Sequence, residues 1–207
     1  WGHDFRPSYR RLSGLKKDLG DIPVLALPAP ATRRVVGDII RQLDMRKPDG
    51  FRGSFFRPNL RITAQRKGAG RITRDDILGI ARRHAGESGI VYCMSRKGVE
   101  STAEWLRSRG ISAVAYHAGL PDAERARAQD RFARDEVDVV VATVAFGRGI
   151  DKSNVRCVVH RDMPKSVEAW YQEIGRAGRD GLVSDCLLMY SWADVIGFDA
   201  FLGGIED

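Results

Sequence analysis

The chain has 207 residues, 43% of them hydrophobic and 29% charged. That is enough for one α/β domain, or one domain and a piece of another, and too apolar for a disordered chain. No run of 18 apolar residues occurs, so no membrane-spanning helix and no membrane partner are expected. The chain begins Trp1-Gly2-His3-Asp4 with neither a methionine nor a basic-then-apolar leader, an abrupt start that reads as a piece of a longer polypeptide. The net charge of +7 is unevenly spread: residues 1–72 hold 16 Lys and Arg against 6 Asp and Glu, and residues 73–207 hold 18 against 21. A basic excess so localised can attract a polyanion, although arginines scattered over solvated faces give the same count.

In chain order, Pro23-Val24-Leu25-Ala26-Leu27 reads as a strand, followed by a helix from about Arg33 to Leu43. Lys47-Pro48-Asp49-Gly50 then marks a boundary that divides the chain into residues 1–46 and 47–207. Beyond residue 70, short apolar runs alternate with segments of helical period, the pattern of a parallel sheet flanked by helices. The runs are Gly89–Cys93, Ala113–Tyr116, Val139–Ala142, Cys157–Val159 and Cys186–Tyr190, each a strand covered on both faces. Thr73 can cap a helix with Asp76 three positions later and Ile77, Ile80, Ala81 and His84 on one face, where His84 reads as a packed core residue. Ser95 can cap a second helix that stops at Gly110, and Pro121 opens a third.

Cys93, Cys157 and Cys186 stand singly inside apolar runs. With no CxxC spacing, they read as buried free thiols rather than a disulfide framework or a zinc site. His3, His84, His117 and His160 form no metal-like cluster either.

In an open parallel sheet, ligands bind outside the carboxyl ends of the strands. The residues there are Ser95-Arg96, His117-Ala118-Gly119, Thr143 and His160-Arg161-Asp162. Helix N-termini follow after Ser95 and near Pro121, so backbone N–H groups would point at the same rim, a surface suited to an extended phosphate backbone. Ordinary caps and turns would supply the same residues.

The segment Ser166 to Gly181 has helical period, with Val167, Trp170, Tyr171 and Ile174 as its apolar stripe. Gln172, Arg176 and Arg179 follow at i, i+4 and i+7, and at about 100° per residue they point about 150° away from that stripe. Gly175 and Gly178 suggest either a close approach or a helix ending there. Planar, always-charged guanidinium groups suit a phosphoryl ligand. A solvated face with salt bridges to Glu173 or Asp180 is the alternative.

These strings resemble the RecQ family of ATP-dependent DNA helicases. Tyr171-Gln172-Glu173-Ile174-Gly175-Arg176-Ala177-Gly178-Arg179-Asp180-Gly181 is similar to the family's motif VI, and Val141 to Lys152 is similar to motif V. Val91-Tyr92-Cys93-Met94-Ser95-Arg96 is similar to motif IV, with Ala115-Tyr116-His117-Ala118-Gly119-Leu120 between them in the expected order. Trp1-Gly2-His3-Asp4-Phe5-Arg6-Pro7 resembles the end of the aromatic-rich loop of the first helicase lobe.

The resemblance implies two RecA-like lobes closing on ATP and Mg²⁺, with single-stranded or partly duplex DNA crossing both, in a 3′-to-5′ helicase of DNA repair and recombination. Residues 1–46 would be the tail of the first lobe and 47–207 the complete second lobe, in a cytoplasmic or nuclear protein according to its source. It implies Arg179 as the arginine finger, with Arg176 and Gln172 beside it at the γ-phosphate, and Asp151 and Gly149 on the nucleotide side of motif V. Ser95, Arg96, His117 and Thr143 would hold the DNA backbone, and Trp1, His3, Phe5 and Arg6 would link DNA contact to hydrolysis.

The sequence also departs from the family. No GxxxxGK[ST] and no DExH after a strand occur, so the phosphate cradle and the Mg²⁺-holding carboxylate belong to a missing P-loop lobe and the chain alone is expected to be inactive. Ala26-Leu27-Pro28-Ala29-Pro30-Ala31 stands where the family has ALTATA, Arg148 replaces a usual methionine and Ser153 a usual proline. The family's zinc module would follow Asp207, so no zinc is expected here. The alternative function is a stand-alone, non-catalytic nucleic-acid-binding or regulatory module.

Overall fold

Chain that buries little cannot hold an isolated strand, and the first part of the molecule follows that rule. The computed structural model describes residues 12, 14–20, 22–27, 33–46, 48–50, 56–68, 73–143, 146, 151–194 and 196. The chain divides into two compact units, Trp1–Arg57 and Pro58–Asp207. The first contains helices α1 (Leu15–Leu19) and α2 (Arg33–Gln42), the latter with no buried residue. The strand expected over Pro23–Leu27 is not formed: the segment has no regular structure, and Leu25 and Leu27 are 81% and 84% exposed. Strand N–H and C=O groups need a neighbouring ladder, and no other strand occurs among the described residues of this unit. Helix α2 forms where its periodicity placed it.

The second unit is built from β1 (Leu60–Arg66), α3 (Thr73–Arg83), β2 (Ser88–Tyr92), α4 (Arg96–Ser108), β3 (Ala113–Tyr116), α5 (Asp122–Ala133), β4 (Val139–Ala142), β5 (Val155–His160), α6 (Val167–Ile174) and β6 (Ser184–Tyr190). All pairings are parallel, in the order β1-β6-β5-β2-β4-β3. The five apolar runs are strands, as their composition requires. β1 was not anticipated: its Leu60, Ile62 and Ala64 alternate with Arg61, Thr63 and Gln65, and as an edge strand it is buried only at Leu60.

Parallel strands must be joined by right-handed crossovers, so the direction of each step across the sheet decides which face its helix covers. α3 and α4 pack on the face presented by Val91, Cys93, Val139, Val141, Val159 and Met189. α5 and α6 pack on the other, against Ile90, Tyr92, Val140, Ala142, Val158 and Phe146. Residues 90 and 91, or 140 and 141, thus serve opposite cores, the period-two rule of a doubly covered strand.

The helix ends follow local chemistry. Ser95 caps α4 by accepting from Gly98 N at 3.0 Å, Ser166 caps α6 by accepting from Ala169 N at 3.1 Å, and Pro121 precedes α5. α3 begins at Thr73, while the Asp76 carboxylate accepts from Gln65 Nε2 at 2.9 Å. His84 is not a core residue. Its half-buried ring lies between Glu87 (2.7 Å) and Asp185 (3.0 Å), because α3 is ending and the apolar stripe no longer faces the sheet.

All three cysteines are free and buried. Burial pushes Cys93 up to about 11 and Cys157 up to about 12. Cys157 also fills the space beside Gly89: it pairs in register with Gly89, and a Cβ built at Gly89 would lie 2.5 Å from its Sγ. The thiolate is the reactive species, so a thiol-reactive disulfide reagent at pH 8 should leave the folded protein untouched and titrate all three thiols in denaturant. Rapid reaction of native Cys93 or Cys157 would contradict this packing.

Candidate functional site

Because the strands are parallel, their carboxyl ends share one edge, with neighbouring exits about 4.8 Å apart. β2 leaves toward α4 while its neighbours β4 and β5 leave toward the other face, so the crevice expected at a topological switch lies at the end of β2. Met94, Ser95 and Arg96 occupy it. Thr143, after β4, sits between the exits of β2 and β3: Cys93 N donates to Ala142 O (2.8 Å) and Thr143 N donates to Tyr116 O (3.2 Å). Ser95 is exposed, and its oxygen, while accepting from Gly98, keeps a proton to donate. The exposed Arg96 side chain lies across Gly119, where a Cβ would come within 2.9 Å of its Nη1. Glycine at 119 therefore makes room for this guanidinium.

The other rim residues turn inward. His117 is buried, its Nδ1 accepting from Gly119 N (3.1 Å) and its Nε2 lying 2.7 Å from Glu100, so the ring shapes the loop beneath Arg96. Arg161 donates to Gly98 O (3.0 Å) and Thr102 Oγ1 (2.7 Å), pinning the start of α4. Asp162 ties three strand exits together, accepting from Met94 N at 2.9 Å and from Lys67 Nζ at 3.0 Å, while Lys67 also reaches Asp194. His160 points into the core.

The helix expected to run to Gly181 stops at Ile174. Gly178 adopts φ +54°, and a Cβ there would lie 2.5 Å from Asn59 Nδ2 and 2.7 Å from Leu182 O, so both backbone and space demand glycine. Its N–H donates to Val155 O (2.9 Å), and Asn59 Nδ2 donates to the carbonyls of Gly178 and Leu182, each at 2.9 Å. Buried Arg156 closes the ring through Asp180 and Ser184 Oγ (3.0 Å). This places the turn beside the amino ends of β5 and β6, away from the carboxyl rim. Of the expected apolar stripe, Ile174 is buried and Trp170 and Tyr171 are half-buried, but Val167 is 74% exposed.

The turn presents its two arginines differently. Arg179 is on the surface, its Nη1 donating to Asp151 Oδ1 at 2.6 Å. Asp151 is itself 90% exposed, while its neighbour Lys152 is buried and anchored on Asp135 (2.8 Å). Arg176 is half-buried, and its charge draws the Tyr92 phenol down against the larger, upward effect of burial. Gln172 is exposed on α6. The structure thus brings Asp151 and Arg179 together and keeps them apart from the rim of Ser95, Arg96 and Thr143. Asn59 and Arg156, which hold the turn, were not singled out for that work by sequence. Trp1, His3, Phe5, Arg6, Pro28, Pro30, Arg148 and Gly149 lie outside the described residues.

The hydrogen bond from Arg156 holds the Asp180 carboxyl below its ordinary value, and Leu182 N adds to this at 3.1 Å. A depressed native value stabilises the fold above the unfolded carboxylate range, near 4, and that contribution disappears as pH falls through the native value. The melting-temperature gap between wild type and Asp180→Asn should be constant above about pH 5 and narrow progressively below about pH 4. A gap independent of pH would place the stabilisation elsewhere.

Residues 73–181 match the family of the helicase conserved C-terminal domain. The chain is 50% identical over 194 residues to "ATP-dependent DNA helicase RecQ" of Haemophilus influenzae, covering 94% of this chain and 31% of that protein. It is 48% identical over 196 residues to "RecQ-like DNA helicase BLM" of Xenopus laevis, covering 94% of this chain and 14% of that protein. It therefore spans about a third or less of the length of these relatives. Among solved structures, the Escherichia coli DEAD-box protein SrmB, bound to regulator of ribonuclease activity A, superposes with a TM-score of 0.55 at 27% identity, covering 65% of this chain and 79% of that one. A DEAD box protein from Methanococcus jannaschii superposes with a TM-score of 0.53 at 22% identity over 63% of this chain and 37% of that one, a likeness of fold. With the motif order, the parallel sheet and the arginine-bearing turn agreeing, the chain belongs to the helicase conserved C-terminal domain family.

Proposed function

We propose that this chain supplies the second motor lobe, residues 47–207, of an ATP-dependent 3′-to-5′ DNA helicase, with residues 1–46 belonging to the end of the first lobe. The observation that carries this is the pair Arg176 and Arg179 on a turn locked by Gly178, with Arg179 displayed at the surface against an exposed carboxylate. An exposed ion pair is worth only about 0–1 kcal/mol, so a phosphoryl group can take Arg179 from Asp151 at small cost. In this reading Arg179 stabilises charge on the transferring phosphoryl, with Arg176 and Gln172 beside it. Asp151 and Gly149 line the nucleotide side. The phosphate cradle and Mg²⁺ are supplied by a P-loop lobe, because this chain has no GxxxxGK[ST].

Ser95, Arg96 and Thr143 would receive the backbone of single-stranded DNA at the carboxyl rim. Contacts to phosphate fix position without reading sequence, so little base preference follows. His117, buried against Glu100, would contribute by shaping the loop that carries Gly119. Trp1, His3, Phe5 and Arg6 would link the strand to hydrolysis from the first lobe.

Steady-state ATP hydrolysis with and without single-stranded DNA tests the nucleotide half. The chain alone should be silent, the chain extended upstream through a P-loop lobe should be DNA-stimulated, and Arg179→Ala in the extended form should lose about 10³-fold or more. Robust hydrolysis by the short chain, or full activity without Arg179, would overturn the reading.

Titration of single-stranded DNA binding against salt tests the other half. Arg96→Ala should weaken binding and lower the slope of log affinity on log salt by about 0.7, and Gly119→Ala should weaken binding by displacing the same guanidinium. Unchanged slopes and affinities would remove Arg96 from the interface.

A further inference from the structure

Tryptophan is a side chain that folding normally covers, because its large ring gains most from leaving water. Of the three tryptophans among the described residues, Trp105 and Trp170 are half-buried and packed against the two cores. Trp192, two residues beyond the end of β6, is 68% exposed. The backbone that carries it is held firmly. Ser191 and Asp194 cap each other: Ser191 N and Oγ donate to Asp194 Oδ2 at 2.8 and 3.0 Å, and Asp194 N donates to Ser191 Oγ at 3.3 Å. Trp192 and Ala193, the two residues between them, are turned out to solvent.

This capped turn is tied to the carboxyl rim. Lys67 N donates to Tyr190 O at 2.8 Å, and Lys67 Nζ lies between Asp194 (3.1 Å) and Asp162 (3.0 Å). Asp162 in turn accepts from Met94 N at 2.9 Å, directly before Ser95. A continuous chain of contacts thus joins the support of Trp192 to the support of Ser95. Along the rim the strand exits follow one another as β3, β4, β2, β5, β6. A line from Thr143 through Ser95 therefore continues over Asp162 to Trp192, and the exit of β6 is about 10 Å from that of β2.

The chemistry of the rim changes along that line. Thr143, Ser95 and Arg96 offer hydroxyl and guanidinium donors suited to phosphate. Beyond them Met94 is 54% exposed and Trp192 more so, while Lys67, only 17% exposed, is engaged by two carboxylates. The outward groups on this stretch are thus suited to flat apolar surface. A nucleobase has such a surface on both faces, and an aromatic ring stacks on any base. A protein segment would also cover Trp192 and Ile196, which is exposed one helical turn on. Continuity with the phosphate seat favours the base.

We propose that Trp192 is a base-stacking residue of the single-strand path: a backbone seated on Thr143, Ser95 and Arg96 continues over the exit of β5 and lays a nucleobase on the indole. The Ser191–Asp194 cap and Lys67 hold the ring in place for it. This inference deepens the reading of the carboxyl rim as the seat of single-stranded DNA and rests on it.

The test is made on the chain extended upstream through its P-loop lobe, by titrating labelled single-stranded oligodeoxyadenylate and an abasic deoxyribose-phosphate strand of the same length. Trp192→Ala should weaken binding of the oligodeoxyadenylate by about tenfold. It should leave the slope of log affinity on log salt unchanged, because no phosphate contact is lost. Trp192→Phe, which keeps an aromatic face, should retain most of the affinity. On the abasic strand all three proteins should bind alike. Equal binding of oligodeoxyadenylate by wild type and Trp192→Ala would overturn the proposal and leave Trp192 and Ile196 as a surface for a protein segment. An equal loss on the abasic strand, or a phenylalanine no better than alanine, would overturn it too. Loss of the fold in Trp192→Ala would assign the indole to stability with the same result. Arg96→Ala separates the two levels: if it leaves binding of both strands intact, the rim reading fails. If it weakens both while Trp192→Ala weakens neither, only the stacking fails.

Discussion

Every feature of the second unit depends on its strands being parallel. An antiparallel sheet could be joined by tight turns and could leave one face wet, but parallel neighbours need long crossovers, and those crossovers have one hand. Two helical layers follow, and with them strands such as Val139–Ala142 that are apolar at every position. The same constraint gathers the strand exits along a single edge and leaves the amino ends, with the turn carrying Arg176 and Arg179, at the other. The separation of the two half-sites is a product of topology before any side chain is chosen.

On the amino-end side, a few polar groups hold the turn and the loops around it. Asn59, Gly178, Arg156, Asp180 and Ser184 close the turn after α6 onto the starts of β5 and β6. Asp135, at φ +57°, collects Lys152, Ser88 and Asn154 beneath Asp151, and the Lys152 hydrogen bond holds its carboxyl low. These clusters are worth little where exposed, but they fix backbone that has no helix or strand to hold it. The guanidinium of Arg179 can be presented on a surface because everything beneath it is tied down.

The five apolar strands, the helices between them and the cap at Ser95 were legible because burial, period and capping are local properties of sequence. β1 was not, since an edge strand is half polar and its alternation over Leu60–Arg66 is short. The expected strand at Pro23–Leu27 had the right composition, but a strand exists only with a partner, and partners are nonlocal. In the site, the residue types of Arg176 and Arg179 were readable, yet the helix proposed to carry them was extended too far. Its two glycines were noticed, but the contact that requires Gly178 comes from Asn59, 119 positions away. His160 looked like a rim residue because it follows an apolar run; its burial against Glu173 is decided by which face of β5 meets α6.

The contact of Gly89 with Cys157 constrains how this sequence can vary. The Cys157 sulfur lies 2.5 Å from where a Cβ at 89 would stand, so one side chain occupies the volume of both positions. An alanine at 89 is admissible only where 157 shrinks, and a larger residue at 157 only where 89 remains bare. In an alignment of descendants these two columns would drift together or not at all. A protein designer would have to treat them as a single choice.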